Sequence, residues 1–301
     1  MKFSLHAAAA CLSLLALPVL EASTVPATGE LPVVGRQLLK DKVDAIVSVE
    51  MVVSVKVTMR DRSPAPREQK KEVNGTVISA DGLTVVALST IDPRGSLPPG
   101  STGIRFEDPE YKEVKLRLAD NTEIPARIVL QDSDLDLAFI APEKDAVAGR
   151  SFTFIDLKKN ADVRILDNCF ELLRASKNQQ RAPLIRLTSV LGIIEKPRRS
   201  ILITECMAGC PTLSINGDVV GISVRQFTNG SISGVILLPA DDVAEMAKQA
   251  AVKALEAPAP APAPSPAPEV SATPETNVAP VTTPVSAPAA AAATPEPAAA
   301  K

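Results

Sequence analysis

The chain has 301 residues, 46% apolar and 22% charged, an ordinary balance for a folded protein and enough length for one large core or two small ones. A formal net charge of -3 argues against a polyanion as partner, and an aromatic content of 3%, with no Trp and one Tyr, offers no stacking platform for single-stranded bases. No nucleic-acid partner is expected.

Residues 1–22 read as an export signal. Lys2 precedes the apolar run "AAAACLSLLALPVL", and the small residues of "EAST" follow, with cleavage expected near Ala22 or Ser23. The run is shorter than the roughly 20 residues a spanning helix needs, so no transmembrane helix is expected after cleavage. Cutting before Cys11 would leave too little apolar length for a lipoprotein signal. The expected location is outside the cytoplasm, periplasmic or secreted. Processing would also remove His6, the one histidine of the chain. Without an imidazole, Ser-His-Asp, Cys-His and His-ligated zinc chemistry are all unavailable.

Residues 23–256 form the expected folded part. "GRQLLKDKVDAI" places Leu38, Leu39 and Val43 on one helical face. "VDAIVSVEMVVSVKVTM" then alternates with many β-branched residues, as a strand does. "GTVISADGLTVVALST" reads as strand, Asp-Gly turn and strand, and "VKLRLADNTEIPARIVLQD" as another hairpin turning at Asp120-Asn121. "LDLAFIAP" adds a short strand. After "EKDAVAGR", strands resume with "DVRILD", "PLIRLTSVLGII", "SILITE", "GDVVGISV" and "ISGVILLP". Many short strands with turn signals predict an all-β sandwich or barrel fold. "PADDVAEMAKQAAVKALEA" predicts a closing helix, with Asp241 and Asp242 at its positive end.

From Ala257 the chain becomes a Pro/Ala-rich segment that cannot bury enough apolar surface to offset chain entropy. A disordered tail with polyproline II character is expected over 257–301, serving as a spacer, a tether to an envelope surface or a ligand for a proline-reading module. Past the signal, Cys169, Cys206 and Cys210 remain, as free thiols or as one disulfide with a thiol left over. The spacing of Cys206 and Cys210, C-x-x-x-C, is neither the redox motif nor a zinc knuckle, and no metal site or cofactor is implied.

Together these pieces carry a family resemblance. In order, "LLKDKVDAIVSVE", "NGTVISADGLTVVALSTID", "VKLRLADNTEIPARIVLQDSDLDLAFI", "SINGDVVGISV" and "SGVILLPADDVAEMAKQ" resemble segments of the trypsin-like HtrA/Deg serine proteases over nearly all of Leu38 to Leu255. The resemblance implies an all-β two-barrel fold, the first barrel at about 45–145, the second at about 151–239 and the closing helix at about 240–255. It places the histidine of the catalytic triad at Ser89, the aspartate at Asp136 and the nucleophile at Ala208, within "CMAGCP". The oxyanion-hole amides fall on Cys206 and Ala208, and Cys206 stands where the family has a glycine, so a collapsed or differently shaped pocket is expected. Asp136 without a histidine is expected to be a solvated or capping residue.

The expected function is that of an exported protease homologue that has lost its triad and binds a polypeptide or an envelope partner by strand addition. A divergent peptidase using Cys210 or Ser89 and a structural envelope protein are the alternatives. A homo-oligomer stays open.

Overall fold

A computed structural model of the protein describes residues 29–59, 67–96, 104–228 and 231–256. The expected export segment and the Pro/Ala-rich tail lie outside the described residues.

Helix α1 (Leu31–Lys42) starts four residues earlier than the apolar pattern predicts, because Pro32 at its first turn is pre-set for helix and needs no N–H acceptor there. Leu31, Leu38 and Phe170 make a small cluster under it. A Cβ at Gly35 would sit 2.8 Å from the Phe170 ring, so glycine lets the helix lie on that ring.

The first barrel is built from β1 (Ile46–Val55), β3 (Arg67–Val77), β4 (Thr84–Ala87), β6 (Glu110–Arg117), β7 (Glu123–Asp132) and β8 (Leu137–Pro142). They close in the order β1-β3-β4-β8-β7-β6, every pair antiparallel. Two short strands, β2 (Val57–Met59) and β5 (Ile104–Phe106), pair outside it. Val47, Val49, Met51, Val53 and Val55 of β1 all point into this barrel, the period of two that its sequence shows. The Asp-Gly turn falls between β3 and β4 with Gly82 at φ 90°, and Asn121 turns β6 into β7 at φ 65°. The strand read through "ALST" stops at Ala87, and Leu88–Ile91 form a single helical turn, α2.

The second barrel contains β9 (Asn168–Arg174), β10 (Pro183–Ile194), β11 (Ser200–Ile203), β12 (Pro211–Ser214), β13 (Val219–Thr228) and β14 (Ser231–Pro239), closed in the order β10-β11-β14-β13-β12-β9. "DVRILD" is not a strand. The Asp167 carboxylate accepts the Arg164 N–H at 2.8 Å, which turns the chain and leaves Ile165 and Leu166 exposed. The pairing begins one residue later, at Asn168.

The largest apolar cluster lies between the barrels. Ile46, Val85 and Phe139 of the first meet Leu172, Leu213, Ile222 and Leu238 of the second. Helix α3 (Ala240–Leu255) closes it with Val243 and Ala250. Asp241 and Asp242 stand at the positive end of α3, and Arg127 donates to the Ala254 and Glu256 carbonyls at the other, supplying acceptors' partners that the helix lacks there. None of the described helices is long and apolar enough to cross a membrane. The architecture is the all-β, two-barrel trypsin-like fold with a short N-terminal and a C-terminal helix.

Candidate functional site

Asp136 sits at the end of the turn from β7 to β8, at φ 56°, where the Asp132 carboxylate accepts the N–H groups of Asp134 and Leu135. Its side chain points inward and is 2% exposed, so it is not solvated. Oδ1 accepts the Ser89 N–H at 2.6 Å, and Oδ2 accepts the Ser89 hydroxyl at 2.9 Å and the Arg225 N–H at 2.7 Å. Its carbonyl accepts the Leu88 N–H at 2.9 Å. Asp136 thus caps α2 with both its side chain and its main chain. Burial pushes its pKa up, and the three donors pull it back part of the way.

Ser89 is 4% exposed and spends its hydroxyl on Asp136. The described residues contain no histidine. The sequence shows no recognisable place for a lysine base, yet the fold brings Lys71 of β3 to this turn, its Nζ 3.4 Å from the Thr90 carbonyl. Partial burial holds its pKa down, with Asp92 opposing.

Ala208 lies in the loop from β11 to β12. That loop is pinned to both barrels: the Thr76 hydroxyl of the first donates to the Gly209 carbonyl at 2.9 Å, and the Gly209 N–H donates to the Ser223 carbonyl of the second at 2.7 Å. Gly209 adopts φ 91°, and a Cβ there would lie 2.9 Å from the Asn74 carbonyl oxygen and 3.3 Å from the Ala87 nitrogen. Only glycine tolerates both the angle and the approach. The loop therefore abuts the end of β4, two residues before Ser89. Positions 89 and 136 are directly bonded; position 208 is not bonded to either among the described residues. Ala208 lines a separate recess of about 300 Å³ with Asn74, Thr90 and Met207, while Ser89 and Asp136 line one of about 370 Å³.

Of the two expected oxyanion-hole amides, neither Cys206 N–H nor Ala208 N–H donates to another group among the described residues. The amide between them does. Met207 N–H donates to Glu171 Oε1 at 2.6 Å. Glu171, on β9, is fully buried, and its Oε2 makes no hydrogen bond, with the Arg186 guanidinium 3.5 Å away as its one charged partner. Burial pushes the Glu171 pKa up to about 7. Sequence reasoning missed this residue; the available signal was one acid inside the apolar run "CFELL". Asn74 and Arg174, also missed, join the barrels by two reciprocal bonds of 3.0 Å between the Asn74 amide and the Arg174 main chain.

The three thiols are all free. Cys169 and Cys210 are fully buried and Cys206 partly so. Burial pushes Cys169 up to about 12, Cys206 up to about 11 and Cys210 well above the ordinary range. None is held as a thiolate at neutral pH, which a nucleophilic cysteine requires.

No family model and no curated protein matches the chain. Among solved structures it is similar to the apo MamO protease domain from Magnetospirillum magneticum, at 16% identity over 68% of this chain and 97% of that one, with a TM-score of 0.43. It is similar to Deg5 at 19% identity over 73% of this chain and 94% of that one, with a TM-score of 0.48. An HtrA-type protease, AlgW, crystallised with a tripeptide, is similar at 13% identity over 71% of this chain and 62% of that one, with a TM-score of 0.47. The strand order of the chain itself, two closed antiparallel six-stranded barrels, makes this a trypsin-like fold.

Proposed function

We propose that this is an exported protease homologue that does not cleave peptide bonds and instead holds an extended polypeptide in the cleft between its barrels. One observation carries the reading: the Asp136 carboxylate, which in a triad would orient an imidazolium, is consumed by Ser89 and Arg225. Ser89 stands where the imidazole would have to stand, and Ala208 offers no nucleophile. Cys210, the rival nucleophile, is fully buried with its thiol pKa raised.

Binding has a physical basis in β13. It pairs with β14 from Gly221 to Thr228 but with β12 only as far as Ile222; Ser223 bonds the Gly209–Cys210 loop and the Arg225 N–H bonds Asp136, so from Gln226 to Thr228 that edge has no strand paired to it among the described residues. Such an edge can take an added strand.

Incubation of the purified chain with denatured casein, followed by mass spectrometry, tests the reading, with Cys210→Ala and Asp136→Ala run beside it. We expect no new peptides from any of the three, while fluorescein-labelled casein fragments still bind, as read by anisotropy. Peptides made by the parent and lost in a variant would refute it.

A further inference from the structure

The open edge of β13 runs past a cleft of about 490 Å³ between the barrels. Its floor is apolar, with Leu135 from the first barrel and Ile194 and Ile236 from the second. Its charged lining is lopsided: Arg198, Arg199 and Arg225 against the single carboxylate of Asp134. Ser133 and Phe227 line both this cleft and the recess that holds Ser89 and Asp136, so the two are continuous.

The three guanidinium groups differ in what already engages them. Arg199 is shared between Asp162 at 3.3 Å and Glu195 at 4.0 Å. Arg225 gives one N–H to the Ser89 carbonyl at 3.3 Å and lies in the field of Asp136, without an ion pair. Arg198 is exposed and has no ionic or hydrogen-bonded partner among the described residues. A chain of net charge -3 has thus gathered three cations at the side of one strand edge and left two of them unpaired. Guanidinium groups in a partly enclosed apolar cleft favour carboxylates, which accept two parallel N–H bonds.

We propose that this cleft selects an extended polypeptide bearing acidic side chains, laid along the Gln226–Thr228 edge so that a carboxylate meets Arg198 and Arg225 over the apolar floor. The proposal rests on the binding reading above and adds the class of ligand. In an added strand alternate side chains face the same way, so an acidic residue at every second position matches the arrangement. The low aromatic content and the strand edge favour a polypeptide over a nucleic acid of like charge.

The test uses three fluorescein-labelled ten-residue peptides that alternate Val with Glu, Gln or Lys, titrated with the full chain at low and at moderate salt. The Glu peptide should bind about tenfold tighter than the Gln peptide at low salt, and the Lys peptide weakest. That advantage should shrink at moderate salt through screening. Arg198→Gln, an exposed substitution that leaves the folded core alone, should remove most of the advantage of the Glu peptide over the Gln peptide. Equal binding of the Glu and Gln peptides would overturn the acidic preference and leave the polypeptide reading standing. No binding by any of them would overturn both. A Glu advantage that survives Arg198→Gln and Arg225→Gln together, or displacement of the peptide by an oligothymidylate at equal concentration, would overturn the assignment to this cleft.

Discussion

The Ser89 hydroxyl and the Asp136 carboxylate lie 2.9 Å apart in a fully enclosed bond that joins the end of β4 to the start of β8. With the Ser89 and Arg225 amides on the same carboxylate, three donors from both barrels converge on one side chain. Asp136 is here a structural keystone between the barrels. Asp136→Ala should strand three donors, two of them main-chain, and cost about 3 kcal/mol. Ser89→Ala, which removes one donor and leaves the two amides satisfied, should cost about 1 kcal/mol. Urea unfolding measures both, and equal costs would contradict the account.

Glu171 makes stability depend on pH with a defined sign. In the unfolded chain it ionises near its ordinary 4.5; folded, near about 7. The folded state therefore holds an extra proton between those values, and this contribution is full below 4.5 and lost as the pH rises through about 7. At about 1.4 kcal/mol per pKa unit, it amounts to on the order of 3 kcal/mol. The difference in stability between the parent and Glu171→Gln should swing in favour of the variant as the pH rises across that window. A difference that stays flat would show that the carboxyl is not held in its neutral form.

The thiols should separate by burial. At pH 8 and without denaturant, a neutral thiol reagent should modify Cys206 first and slowly, while Cys169 and Cys210 react only after unfolding. Fast modification of Cys210 in the folded protein would mean that the loop around Ala208 opens readily.

Gly209→Ala forces a side chain into the left-handed region and against the Asn74 carbonyl. It should cost about 1–3 kcal/mol and raise hydrogen exchange in residues 205–210. Gly149→Ala supplies the control, since its φ of 76° carries the angular strain with nothing within 4 Å. If both variants lose the same amount, the close approach at Gly209 contributes nothing.

The sequence discloses what local chemistry determines. β1 was readable because one of its faces fills a barrel, and the β3–β4 and β6–β7 turns because Asp-Gly and Asp-Asn fix them. β9 was not, since it is buried along almost its whole length and so has no alternation, and its one acid broke the apolar run. β12 has four residues, too few to show a period. "DVRILD" alternates like a strand, yet one carboxylate bonding three residues back makes it a turn. At the site, the order of motifs singles out residues 89, 136 and 208 as candidates. Nothing local indicates that Ser89 would bond Asp136, or that Glu171 would reach the Met207 amide, because those pairs are 47 and 36 residues apart.

The apolar cluster shared by the two barrels draws its largest side chains from both halves of the chain and is sealed by the last helix. Neither half can be excised without exposing that surface to water. The chain should therefore melt in one calorimetric step and resist being expressed as two pieces.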